Sequence, residues 1–243
     1  MKKNEKPASD TSDVRARTER VIAMAELGID KVDSIGLHGT SIQAIQHSID
    51  YGVMPGGVIK DARGQYTHGD LFYYPLGGPT QPEQERKRIV REAEMYAGIT
   101  ARNHFTVDAL HLDFGNAEQH FLAGEFSYKQ KIKWSDEDVL NAFKRFVHIR
   151  LGGHGKKEDI EQLRDEVERV AKEAWAHKGV VIALSPRTGV DFEVKPGDPG
   201  EDDVRISCPS GLSLEYISGI SSRGEREEEY ISSLKKIDDS PPY

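Results

Sequence analysis

The stretch Ile35–Pro55, IGLHGTSIQAIQHSIDYGVMP, constrains the fold more than any other part of the chain. Ser34–His38 has the character of a short strand, and the hydroxyls of Thr40 and Ser41 are placed to cap a following helix. Across Ser41–Tyr51 the apolar residues Ile42, Ala44, Ile45 and Ile49 recur at helical spacing, and Gly52 supplies a C-terminal stop. The unit is therefore strand, tight HGTS turn, helix, glycine. It sets His38 at the mouth of a sheet beside Gly39, whose backbone can come close to a flat ligand. The helix N-terminus adds a partial positive charge suited to a phosphate or amide oxygen. An imidazole there can hydrogen-bond a ribose diol without acting as a base. The same residues also suffice for a plain capped turn, so their chemistry depends on what surrounds them.

The rest of the chain predicts an α+β domain. Met1 to Asp13 is polar and charged and is expected to be disordered, and Val14–Leu27 has the spacing of an amphipathic helix ended by Gly28. Gly56–Gly69 reads as a glycine-rich polar loop, Leu71–Leu76 as an aromatic strand and Glu83–Ala97 as a charged helix. Between His104 and Tyr128 the alternation is irregular and suggests strand pieces such as ALHLDF. Ser135 opens a capping box before a helix over Asp136–Arg150, and Lys157–His177 predicts a second long helix. Gly179–Pro186 is the clearest buried strand. The segments VRISCP and LSLEYISGI add strands hinged at Pro209–Gly211. The organisation expected is one domain over 14–220 with a helical insertion near 135–178, followed by a loose charged tail over 221–243.

Composition narrows the function classes. With a formal net charge of -8, the chain is poorly suited to sequence-independent nucleic-acid binding, which needs surface lysines and arginines. A single cysteine, Cys208, forbids an internal disulfide, and its setting beside Pro209 suits a small buried residue better than a nucleophile. No apolar h-region follows the N-terminal lysines, and no run approaches the roughly 18 apolar residues that span a bilayer. The expectation is a cytoplasmic protein with no membrane partner. Of the nine histidines, His104, His111 and His120 lie seven and nine residues apart, without the H-x-x-x-H or cysteine partners of a metal site, so no metal is expected. The glycine pairs form no phosphate loop or dinucleotide fingerprint. The basic run Glu85–Arg91 reads as a solvated helix face, or as a patch that steers an anionic ligand.

His38, Gly39, Thr40, Ala44, Ser48–Ile49, Gly52–Val53 and Pro55 together resemble the NAD-binding opening of the ADP-ribosyltransferase superfamily. The likeness is greatest to its diphtheria toxin, exotoxin A-like and poly(ADP-ribose) polymerase-like branch. Leu37 stands where that family usually has Tyr. The resemblance implies a split β-sheet with flanking helices and an NAD site built from a His, a Tyr and a Glu. His38 would hold the adenosine-side ribose, with Gly39, Thr40 and Ser41 around it. Tyr73 of LFYYP would stack on nicotinamide, with Tyr74 as the alternative, since adjacent strand residues face opposite ways. Tyr96 would form a second aromatic wall. Glu201 is the first choice for the acid, Asp203 the fallback and Glu215 a third candidate.

The activity implied is mono-ADP-ribosyl transfer, a glycosyltransferase reaction, from NAD to a macromolecular acceptor with release of nicotinamide. A ribosyl cation develops as nicotinamide leaves, and a carboxylate near the 2′-hydroxyl stabilises it. Two alternatives share the fold. One is RNA 2′-phosphotransferase chemistry, for which Arg102-Asn103-His104 offers the letters of an R-x-H pair. The other is a non-catalytic binding module.

Overall fold

The computed structural model describes residues 11–54, 57–60, 66–77, 81–152, 154–197 and 203–238. Its strands are β1 (Gly36–Thr40), β2 (Val53–Met54), β3 (Gly57–Lys60), β4 (Tyr66–Pro75), β5 (Val180–Leu184), β6 (Val194–Pro196), β7 (Val204–Ser207), β8 (Leu212–Ser213) and β9 (Ile217–Ser222). The helices are α1 (Thr11–Leu27), α2 (Ile42–Tyr51), α3 (Glu83–Ala109), α4 (Ala117–Ser127), α5 (Glu137–Leu151), α6 (Lys157–Ala174), α7 (Thr188–Asp191) and α8 (Glu225–Asp238). The protein is thus α+β, and its strand pairings are antiparallel, in the order β6-β7-β4-β1-β5-β9 with β3 also on β4.

Strand β4 divides the sheet. Asp70 pairs with Gly57 of β3 and also with Ser207 of β7, so β3 and β7 lie on opposite edges of β4. Strand β1 therefore shares an edge with β3, but its ladder with β4 holds only Gly36↔Pro75 and Leu37↔Tyr74. Between the end of that ladder and the start of β3, no strand among the described residues lies beside the edge of β4 over Leu71–Tyr73. On its other side β1 stays fully paired, from Gly36↔Leu184 to Thr40↔Val180 of β5.

Helices cover both faces. Val180, Ile182 and Leu184 point into a core shared with Val21 of α1, Ile45 and Ile49 of α2, and Ile231 and Leu234 of α8. Leu37, Val181 and Ala183 point the other way, onto Ile89, Ala93 and Ala97 of α3. Gly39 is the contact point there, since a Cβ at that position would overlap Ala93 O and Ala97 N. Strand β5, covered on both sides, is buried at all five positions, as its unbroken apolar run predicts. A second core, of Val107, Phe126, Phe146 and Val167 among others, joins the end of α3 to α4, α5 and α6. At 27 residues, α3 is about 40 Å long and links the two cores.

Several expectations are corrected. Helix α3 does not stop at Ala97 but runs to Ala109, and α4 follows, so the strand pieces read between His104 and Tyr128 are helical. Gly98 is buried inside α3, where a Cβ would come within 3.1 Å of Arg102 Nη1, and Asn116 caps α4 by accepting from Glu118 and Gln119 N–H groups. The cap of α5 is Asp136, which accepts from Asp138 N–H, rather than Ser135. The polar stretch 56–69 carries β3 and the start of β4. The tail after Ser221 is not loose over its described part. Its helix α8 buries Ile231, Leu234 and Glu227, and Glu227 accepts the N–H groups of Lys178 and Gly179 at 3.0 and 3.1 Å. At the N-terminus α1 starts at Thr11, inside the segment expected to be disordered.

Candidate functional site

The local sequence accounts for the HGTS turn. Ser41 is extended at φ -116°, ψ 163°, and its Oγ accepts the Ala44 N–H at 3.1 Å, capping α2. Gly52 closes the helix at φ 83°, in the left-handed region that glycine adopts without strain. Between cap and stop, Ala44, Ile45, Ser48 and Ile49 form the buried face. This anchors the turn against the sheet and fixes where β1 ends.

His38 sits where β1 and β4 part. Its Nδ1 lies 2.5 Å from Phe72 O, a carbonyl on the stretch of β4 between its β1 and β3 ladders. Burial lowers the His38 pKa to about 4, only partly offset by that hydrogen bond, so the ring is neutral near pH 7. A neutral ring whose Nδ1–H donates to Phe72 O presents Nε2 as a bare acceptor. His38 as a whole is half-buried.

A second imidazole stands behind the turn. His104 of α3 places Nδ1 2.6 Å from Ser41 Oγ. Ser41 is fully buried, and its Oγ is shared between the Ala44 N–H, which it accepts, and His104 Nδ1. Burial, with His120 and His38 adding to it, lowers the His104 pKa to about 3. The His104 ring lies 4.7 Å from Phe114 and 5.4 Å from His120, whose Nε2 is 2.9 Å from Phe114 O. From sequence, His104 offers itself only to a metal site or to an R-x-H pair. Its partner Ser41 lies 63 residues away, and no local pattern announces such a pair.

The aromatic candidates divide between the faces of the sheet. Tyr73 belongs to the core on the Ile182 side, which is also the side of His38, and is 5% exposed. Its ring lies against Gly36, where a Cβ would overlap it. Tyr74 packs on the α3 side, with its ring 5.6 Å from that of Tyr96. Tyr96 therefore forms a wall with Tyr74 and not with Tyr73. Burial raises the pKa of Tyr73 and, more strongly, that of Tyr74. Thr40 is buried and paired with Val180, and the space in front of Gly39 is taken by the backbone of α3 rather than left for a ligand.

The acids are less concentrated. Glu201 lies outside the described residues. Asp203 immediately precedes β7, beyond the Tyr73↔Val204 pair, and is among the charges that raise the Tyr74 pKa. Glu215 is exposed on the short 3-10 turn Leu214–Tyr216 and pairs with Arg187 at 3.2 Å. That turn lies beyond the Leu184↔Ile217 pair, at the Gly36 end of β1 and away from Ser41. Arg102 and His104 point apart: the Arg102 guanidinium lies 4.5 Å over the Trp175 ring while His104 meets Ser41. Cys208 is buried. Among the described residues no group of three or more His, Cys, Asp or Glu side chains is arranged to hold a metal ion, and no helix is long and apolar enough to cross a membrane.

Comparison with known proteins returns no match to a family model, a curated protein or a solved structure.

Proposed function

We propose that this protein is a mono-ADP-ribosyltransferase that cleaves NAD at the opening between β1 and β4. The observation that carries the reading is the neutral His38, tied through Nδ1 to Phe72 O and on the same face of the sheet as Tyr73. A ribose hydroxyl can donate to its Nε2, so His38 orients the sugar and takes no proton from it. Tyr73, packed in the core against Gly36 on that same face, is the residue this reading assigns to the nicotinamide ring. NAD enters as substrate. The C1′–N bond to nicotinamide breaks with its electron pair leaving on the pyridine nitrogen, and the ribosyl carbon becomes cationic. A carboxylate facing that cation lowers the barrier, and Glu201, Asp203 and Glu215 are the candidates in that order. The acceptor attacks C1′ and gives up its proton to water or to a nearby base.

The test is incubation of the full chain with NAD and quantification of free nicotinamide and ADP-ribose. The panel comprises wild type, His38→Asn, Tyr73→Phe, Glu201→Gln, Asp203→Asn and Glu215→Gln. Release that falls at least about a hundredfold in one carboxylate variant, with its fold intact, assigns the acid. An inert wild type that still binds NAD turns the reading into that of a binding module.

A further inference from the structure

A recess of about 540 Å³ lies where β5 begins and β9 ends, walled by α3 and the start of α8. Its lining brings together Arg102, Lys178 and Arg223, cations from α3, from the segment joining α6 to β5 and from the residue after β9. Two carboxylates, Glu94 and Glu228, share it. Glu94 Oε1 is bonded to Arg223 Nη1 at 3.1 Å, and Glu228 is exposed, with no ion pair among the described residues. Lys178 Nζ donates to Trp175 O at 3.2 Å and meets no carboxylate among the described residues. The Arg102 guanidinium rests 4.5 Å over the Trp175 ring and donates to no acceptor among the described residues, with its Nε buried. Burial lowers its pKa from the ordinary value, with Tyr128 opposing the change. Gly98 lines the same recess. A Cβ there would come within 3.1 Å of Arg102 Nη1, so a glycine leaves the guanidinium its room at a helix position where alanine is intrinsically favoured.

We infer that this recess binds the phosphate group of a small phosphate monoester. A half-buried guanidinium without an acceptor is costly, and a ligand oxygen would supply the missing partner. Three cations against two carboxylates, one of them already paired, leave positive charge for an anion. Those cations come from three separate segments, so a tetrahedral oxyanion, with oxygens pointing in several directions, meets more of them than a planar carboxylate does. Ser222 adds a hydroxyl to the lining. The volume is larger than a bare phosphate needs and lies in the range of small-molecule sites, and the exposed Met95 offers an apolar surface to an organic group. A long polyanion is disfavoured on a chain of net charge -8. None of these residues belongs to the set assigned to NAD, so the inference does not rest on that reading.

The test is calorimetric titration of phenyl phosphate into the full chain, with benzoate as the planar carboxylate counterpart and backbone amide shifts to locate the site. Wild type should bind phenyl phosphate saturably, with a Kd at or below about 1 mM, and benzoate about tenfold or more weakly. The amides of Gly98, Lys178 and Ser222 should shift on binding. Arg102→Gln should weaken binding about tenfold. Gly98→Ala, which crowds Arg102 while suiting the helix, should weaken it severalfold with the circular dichroism spectrum unchanged. Glu228→Gln removes a repelling carboxylate from an exposed position and should tighten binding severalfold, a gain that a damaged fold would not give. No saturable binding by wild type, amide shifts confined to other regions, benzoate as tight as phenyl phosphate, displacement by an oligonucleotide without a terminal phosphate, or indifference to Arg102→Gln and Glu228→Gln each overturns the inference. Phosphate binding without NAD cleavage leaves the recess standing and removes the NAD reading. NAD cleavage without phosphate binding does the reverse.

Discussion

Acidification probes His38 directly. In an unfolded chain its imidazole titrates at its ordinary value of 6.5, and in the fold burial holds it at about 4. Between those values the unfolded state binds a proton that the folded state does not. The stability tied to this ring is therefore fully present above pH 6.5 and lost as pH falls towards 4. From this group alone the fold should be about 2 kcal/mol less stable at pH 5 than at pH 7. His104, held at about 3 by burial and by its histidine neighbours, acts in the same direction and by a similar amount. Carboxylates also contribute in this range, so the informative quantity is a difference. Urea unfolding of wild type and His38→Gln, followed by circular dichroism at pH 7, 6 and 5, should show wild type losing about 2 kcal/mol more than the variant. In parallel, the imidazole resonances of His38 should not move until well below pH 5. A His38 that titrates near 6.5, or equal acid sensitivity in wild type and variant, would refute the reasoning.

Other perturbations test the supports of the site. Gly39→Ala drives a Cβ into Ala93 O and Ala97 N of α3 and should destabilise by about 3 kcal/mol or prevent folding, read as loss of soluble, cooperatively melting protein. Ser41→Ala removes the α2 cap and the hydroxyl that meets His104 Nδ1, and should cost about 1–2 kcal/mol in urea unfolding. Glu227→Ala strips the acceptor from the part-buried N–H of Lys178 and the buried N–H of Gly179. It should cost about 3 kcal/mol and raise hydrogen exchange at both amides. Phe146→Ala, in the helical core away from His38, should cost about 3–5 kcal/mol while leaving any NAD affinity of the folded fraction unchanged.

Much of the framework was legible because its signals are local. The α2 helix announces itself by a capping serine, four apolar residues at helical spacing and a glycine stop, and β5 by an apolar run too short for a helix. Tertiary context overrode local preference elsewhere. The irregular alternation between His104 and Tyr128 is compatible with strands, yet α3 continues through Gly98 to Ala109, packing into both cores. The highly charged start of α8 resembles a solvated tail, but Glu227 accepts one buried and one part-buried amide N–H from 48 and 49 residues away. For the site, the His38 position and the opposite facing of Tyr73 and Tyr74 follow from strand alternation. The gap along β4, the Ser41–His104 pair and the grouping of Tyr74 with Tyr96 depend on register and helix placement, which motif spacing does not carry.

Calorimetric titration of NAD into wild type and into His38→Asn tests the central claim most directly. The proposed site predicts saturable one-to-one binding by wild type, weakened about tenfold or more in a variant that retains the wild-type circular dichroism spectrum. Absence of NAD binding by the folded wild type, or equal affinity in the two proteins, would contradict the assignment of the HGTS turn as an NAD site.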